Sequence, residues 1–153
     1  MKVPKTKSVT PSYTNGRWIF PEQMDVSGKN VGFIYIIRDN ILKRFYLGKK
    51  HYRVMRGVNK GRISNWKMYV SSSKLLKEIW EHRGMAEFDF FCLEEYSTKG
   101  GLSYAETWTL CHVEAPTTLD WYNTRIEKVS WNVKEPVSDF HKQRLDQIMN
   151  FEI

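Results

Sequence analysis

The densest apolar run in the chain is Gly32-Phe33-Ile34-Tyr35-Ile36-Ile37-Arg38, rich in β-branched and aromatic residues, and it predicts a strand. Asp39-Asn40 follows as a turn signal and Arg44-Phe45-Tyr46-Leu47-Gly48 as a second short strand, so the pair predicts a β-hairpin. From Lys49 to Lys67 glycines interrupt the chain and no apolar period shows. That stretch reads as a long loop, or a short helix with loops, and loops of that length are usually functional or disordered. Ser71-Ser72-Ser73 then offers N-caps to a helix from Lys74 to Arg83, with Leu75, Leu76, Ile79 and Trp80 on one face and Gly84 as the stop. Glu87 to Tyr96 predicts a third strand and Thr98-Lys99-Gly100-Gly101 a turn. Ser103 is placed to cap a helix from about Tyr104 to Glu114, closed by Pro116. The order is β-β-α-β-α. Beyond Trp121-Tyr122-Asn123, Pro136-Val137-Ser138-Asp139 starts a last helix with a weak stripe of Phe140, Leu145, Ile148 and Met149. Ahead of the strands, residues 1–30 carry Pro4, Pro11, Pro21, Gly16 and Gly28 with little periodicity, an arm that is flexible or pinned locally by Trp18, Ile19 and Phe20.

At 153 residues, with 41% hydrophobic and 14% aromatic positions, the chain can bury one core and is neither disordered overall nor collagen-like. No apolar window approaches the roughly 18 residues of a membrane span, and the N-terminus lacks the apolar stretch of a secretory signal, so a cytoplasmic protein is expected. Cys92 and Cys111 lie among apolar or aromatic neighbours, and both are expected to be buried, reduced thiols. The four histidines show no zinc-ligand spacing.

Charge changes the picture more than composition does. Residues 43–77 hold eleven Lys/Arg and no Asp/Glu, whereas residues 78–153 hold seven and fourteen. A solvated face normally mixes in carboxylates, so a polyanionic partner is expected. Lys49, Lys50, Arg53, Arg56, Lys60, Arg62, Lys67 and Lys74 are interleaved with Tyr46, Tyr52, Trp66 and Tyr69, which suits phosphate pairing plus packing on sugars or bases. The run is broken by Gly57 and Gly61 and forms no basic amphipathic helix, which argues against a membrane surface.

Phe33-Ile34-Tyr35 followed by Tyr46-Leu47-Gly48 resembles the paired motif of the GIY-YIG nuclease superfamily, with Phe33 where that motif has glycine and Gly32 adjacent. Ser103-Tyr104-Ala105-Glu106 falls where the family's catalytic glutamate lies. Lys49-Lys50, Asn65 to Lys74 and Trp121-Tyr122-Asn123 are similar to segments of phage-encoded, freestanding members. The resemblance implies an α+β fold, a small three-stranded antiparallel sheet flanked by helices. The nuclease domain would span residues 31–126, with the arm 1–30 before it and a C-terminal helical extension over 127–153. It also implies a DNA endonuclease leaving 5′-phosphate and 3′-hydroxyl ends. The family's arginine, on a helix after the second motif, falls here in the basic loop, where Arg56, ten positions after Tyr46, ranks ahead of Arg62 and Arg53.

Phosphodiester hydrolysis needs a nucleophilic water, neutralised phosphoryl oxygens and help for the departing 3′ oxygen. Glu106 would hold a divalent cation, Mg²⁺ with Mn²⁺ able to substitute, because a lone carboxylate with waters and phosphate oxygens is a hard oxygen site. Tyr35 would orient or deprotonate the water, with Lys49, Lys50 and Arg56 favouring phenolate while neutralising the phosphate. Tyr46 would bond the phosphate or water, and Asn123 would support the geometry near the glutamate. Each residue also has a plainer role: strand aromatics for the tyrosines, a capping box with Ser103 for Glu106, and a turn for Asn123. Two other functions stay open, a binding module for DNA or protein on the same fold and an RNA-directed nuclease, as does a homodimer or a protein partner.

Overall fold

The computed structural model describes residues 16–21, 29–129 and 132–153. Strands β1 (Gly32–Asp39), β2 (Arg44–His51) and β3 (Phe88–Tyr96) form one antiparallel sheet in the order β2-β1-β3. Helices α1 (Lys74–Arg83), α2 (Lys99–His112) and α3 (Asp139–Met149) complete the α+β order expected from the sequence. Every residue of β1 is buried because both faces of the sheet are covered. Ile34 and Ile36 face Leu102, Ala105, Leu145 and Ile148 of α2 and α3, while Phe33, Tyr35 and Ile37 face Trp18, Trp66, Leu76 and Trp80. A one-residue slip would exchange these sets, and burying each large side chain contributes roughly 1.5–3 kcal/mol, so the register is strongly specified. No helix among the described residues is long and apolar enough to cross a membrane.

Ser73 caps α1, its hydroxyl accepting from the Leu76 amide at 3.2 Å, and Gly84 (φ 76°) ends it, as expected. Leu76 and Trp80, one turn apart, take the inward stripe, which leaves Leu75 45% exposed rather than sharing that face. Helix α2 departs further from expectation. It begins at Lys99, so the predicted turn is its first turn and Ser103 lies inside it instead of capping it. Thr98 is the cap, accepting from Gly101 N at 3.0 Å, and the Glu135 carboxylate accepts from both the amides and the hydroxyls of Ser97 and Thr98. A Cβ on Gly101 would strike that carboxylate. Gly101 is therefore a clearance for a distant anion, not a break.

Helix α3, capped by Ser138, buries His141 and Arg144 along with Leu145 and Ile148, while Phe140 is only half-buried. His141 sits between the Tyr96 hydroxyl at 2.9 Å and Thr109 Oγ1 at 2.7 Å, and Arg144 Nε donates to the Cys92 carbonyl at 2.9 Å. Cys92 is buried, but Cys111 is exposed on α2 and corrects the expectation of two buried thiols, because its neighbours Leu110 and Thr109 take the inward positions.

Both sheet edges are covered, which removes unpaired edge groups. Ile19 pairs with β3 (Ile19 N to Phe90 O 2.8 Å, Cys92 N to Ile19 O 3.0 Å), and Trp18 is 2% exposed with its indole donating to Trp66 O at 2.7 Å. Residues 1–15 and 22–28 of the predicted arm lie outside the described residues. On the other edge, residues 120–122 run beside Phe45 of β2 (Phe45 N to Asp120 O 2.9 Å, Tyr122 N to Phe45 O 2.7 Å). The basic stretch after β2 holds no helix. Residues 52–64 turn back on themselves as a short ribbon, joined by Val54 N to Arg62 O, Gly61 N to Val54 O and Ser64 N to Tyr52 O.

Candidate active site

A cleft of about 700 Å³ opens at the β2 edge, where the N-terminal end of α1, the middle of α2 and the chain after Trp121 converge. It gathers Tyr35, Tyr46, Lys49, Lys74, Glu106 and Asn123 from residues far apart in sequence. Strand geometry explains the first three. Tyr35 on β1 lies opposite Gly48 on β2, and Ile37 lies opposite Tyr46, so the two tyrosines sit on the same face with ring centroids 6.3 Å apart. Lys49, one residue beyond Gly48, points to the other face and meets α2, where its ammonium lies 2.9 Å from Glu106 Oε1.

Tyr35 is 1% exposed, and a Cβ on Gly48 would collide with its hydroxyl. The glycine of the second motif is thus the floor on which the phenol lies. The Ser71 side chain lies beside both Tyr35 and Tyr46, and its hydroxyl accepts from the Ser73 amide at 3.0 Å. Burial pushes the Tyr35 phenol well above its usual value, and the neighbouring Tyr69 and Tyr46 push the same way. The direction is opposite to the phenolate expected from nearby lysines. The reason is geometric: Lys49 is turned toward Glu106, and the Lys50 ammonium rests 4.1 Å from the centre of the Tyr69 ring. Burial likewise raises Tyr46.

Asn123 holds β2 in place. Its Oδ1 accepts from Leu47 N at 2.9 Å and its Nδ2 donates to Leu47 O at 2.9 Å, so the amide substitutes for the next peptide of the pairing chain. Glu106 stands in mid-helix with its side chain 14% exposed, one oxygen taken by Lys49. Among the described residues no three His, Cys, Asp or Glu side chains converge. A cation on Glu106 would complete its shell with water and phosphate oxygens, which fits a hard, oxygen-seeking divalent ion and not a soft one.

The remaining basic candidates lie outside this cleft. Lys50 and Arg53 line a second depression, where the Arg53 guanidinium donates to Gly61 O at 2.9 Å. Arg56 lines a third, which shares Lys49 and Glu127 with the cleft. Lys60 and Arg62 are exposed on the ribbon, and the Lys67 ammonium lies 5.5 Å from the Trp66 ring centre. Sequence reading singled out Tyr69 for nucleic-acid packing and took Ser71 and Ser72 only as cap candidates, and it missed Arg125 and Glu127. Three consecutive serines exceed what one cap needs, a signal for the first two; Arg125 and Glu127 carried none.

Compared with known families, residues 18–126 match the family described as "Putative endonuclease segE, GIY-YIG domain", more than two-thirds of the chain. No curated protein and no solved structure matches. The match begins at Trp18, the first core residue among the described residues, and ends just past Asn123, which holds β2. Its limits coincide with the pieces that frame the two-tyrosine cleft, and this chain belongs to the GIY-YIG endonuclease family, the phosphodiester-hydrolysing nucleases.

Proposed function

We propose that this protein is a metal-dependent DNA endonuclease of phage type, working in the host cell cytoplasm with Mg²⁺ and with Mn²⁺ as substitute, and that residues 31–126 are its catalytic domain. The carrying observation is the convergence of Tyr35, Tyr46 and the Lys49–Glu106 pair in one cleft. Glu106 holds the cation, which when bound supplies positive charge to the phosphoryl and departing 3′ oxygens. Tyr35, kept neutral by burial, orients the attacking water by hydrogen bonding, and Tyr46 holds a phosphate oxygen through the shared Ser71. Lys49 holds the carboxylate in place at the cleft. Asn123 fixes the strand on which Tyr46 and Lys49 stand. Phosphate is gripped by Arg125 and Lys74 within the cleft and by Arg56 and Lys50 from the adjoining depressions. Arg53, Lys60, Arg62 and Lys67 hold the flanking backbone.

Incubation with supercoiled plasmid tests this. Conversion to nicked or linear DNA with Mg²⁺, its loss with chelator, and sequenced ends bearing 5′-phosphate are expected. Cleavage that persists in chelator would remove the metal from the reading, and cleavage of RNA in place of DNA would change the substrate.

A further inference from the structure

The ribbon of residues 52–64 is rigid at its base and bare at its tip. Tyr52 is 2% exposed, its ring 5.3 Å from Phe33 and 5.1 Å from Trp66, and its hydroxyl donates to Glu95 Oε2 at 2.7 Å. Ser64, opposite, donates to His51 O at 2.7 Å. Five residue steps separate Tyr52 from Gly57, so at roughly 3.3 Å per step the ribbon can reach up to about 16 Å, more than the ~8.5 Å depth of a DNA major groove. Gly57 (φ 82°) and Gly61 (φ 90°) bracket the tip, and nothing lies within 4 Å of where a Cβ on either would stand. Between them Val58 is 99% exposed, an apolar side chain at the tip of an element that carries Arg53, Arg56, Lys60 and Arg62, with Ile63 lower on the ribbon 59% exposed.

A solvated basic loop has no need of that valine. The geometry points to a groove-reading ribbon. Residues 52–64 enter the major groove of duplex DNA, the arginines and lysines pair with phosphates on both walls, and Val58 meets the base edges at the floor. The occupant is argued from charge, since residues 43–77 hold no carboxylate, and from width, since a two-stranded ribbon fits a groove of about 12 Å and not one of about 6 Å. Depressions flank the ribbon on either side and both contain Lys49, so the groove walls lead toward the cleft. A thymine methyl is the natural neighbour for a valine.

The inference rests on the DNA nuclease reading, and its test separates the two. Val58→Ser is compared with the unaltered protein for duplex affinity in chelator over a range of salt, with interference footprinting on methylated DNA. Substitution of so exposed a residue leaves folding undisturbed. The expected result is about tenfold weaker binding with an unchanged salt slope, because the valine's apolar packing on the bases is removed while every phosphate pairing stays. Methylation at guanine N7 should block binding of the unaltered protein beneath the ribbon, and that interference should fade in Val58→Ser. If the unaltered protein binds and cuts DNA while Val58→Ser binds equally well, or if only adenine N3 methylation interferes, the groove assignment falls and the nuclease stands. If the unaltered protein neither binds nor cuts duplex DNA, both fall.

Discussion

In the cleft, Tyr35 is 1% exposed, its hydroxyl set against Gly48 and beside Ser71; at the ribbon tip, Val58 is 99% exposed with open space around the flanking glycines. The two regions are built on opposite principles. Bond breaking depends on groups held to within a fraction of an ångström, and only a packed core does that. Holding a polyanion depends on summed charge, which acts through solvent and tolerates loose placement. The cleft should therefore respond sharply to small changes of shape, and the ribbon gradually to changes of charge.

The largest expected effect is from Glu106→Ala, which should abolish plasmid cleavage while duplex binding in chelator is retained. Equal loss of binding would move Glu106 from the reaction to the binding surface. Next, Tyr35→Phe and Gly48→Ala should each slow cleavage by about a hundredfold, one by deleting the hydroxyl and the other by displacing it. Because both act on the same atom, the double variant should be little worse than either alone, and multiplied losses in single-turnover rates would contradict the shared target. Arg125→Lys and Arg56→Lys conserve charge but lose the two-pronged grip on phosphate, so each should cut about tenfold more slowly, Arg125→Lys more so because it lies inside the cleft. Normal rates in both would leave Lys49 and Lys74 as the neutralising groups.

On the ribbon side, neutralising Lys60, Arg62 and Lys67 together should weaken binding to any duplex and flatten the log affinity–log salt slope by up to about 0.9 for each phosphate no longer paired. An unchanged slope would show that these residues touch no phosphate. Acid should separate the regions differently. Burial lowers His141 from 6.5 to about 3, so the unfolded chain takes up its proton first, and stability present above pH 6.5 declines as pH falls toward 3. For Asp39, burial alone would raise the carboxyl. Hydrogen bonds from Arg83, Tyr122 and the Leu42 and Ile41 amides outweigh that and hold it below its usual value, adding a loss that begins as pH falls through the ordinary carboxylate range. Thermal melts should shift down steadily across that window, and His141→Gln should flatten its upper part.

The sequence by itself determined the three strands and the order of elements, because β1 and β3 are dense in residues that only a covered sheet can accommodate and Ser73 and Gly84 mark the ends of α1 through local bonds. It determined that the two tyrosines stand on adjacent strands of one hairpin, since both runs are strand-forming and a turn signal lies between them. It also determined the carboxylate-free stretch, a matter of counting. The start of α2 was hidden because what stabilises it, Glu135, lies 37 residues beyond Thr98 and local glycines argue for a turn. The charge state of Tyr35 was hidden for the same kind of reason: Lys49 and Lys50 adjoin it in the motif, but alternation along β2 and the ring of Tyr69 turn both ammonium groups elsewhere. Which arginine enters the cleft, and that the basic stretch stands up as a ribbon with a valine at its crest, were likewise decided by the tertiary structure. Charge and strand propensity are properties of residues near one another in the chain, whereas burial, clearance and reach belong to contacts that exist only once the sheet has closed its two faces.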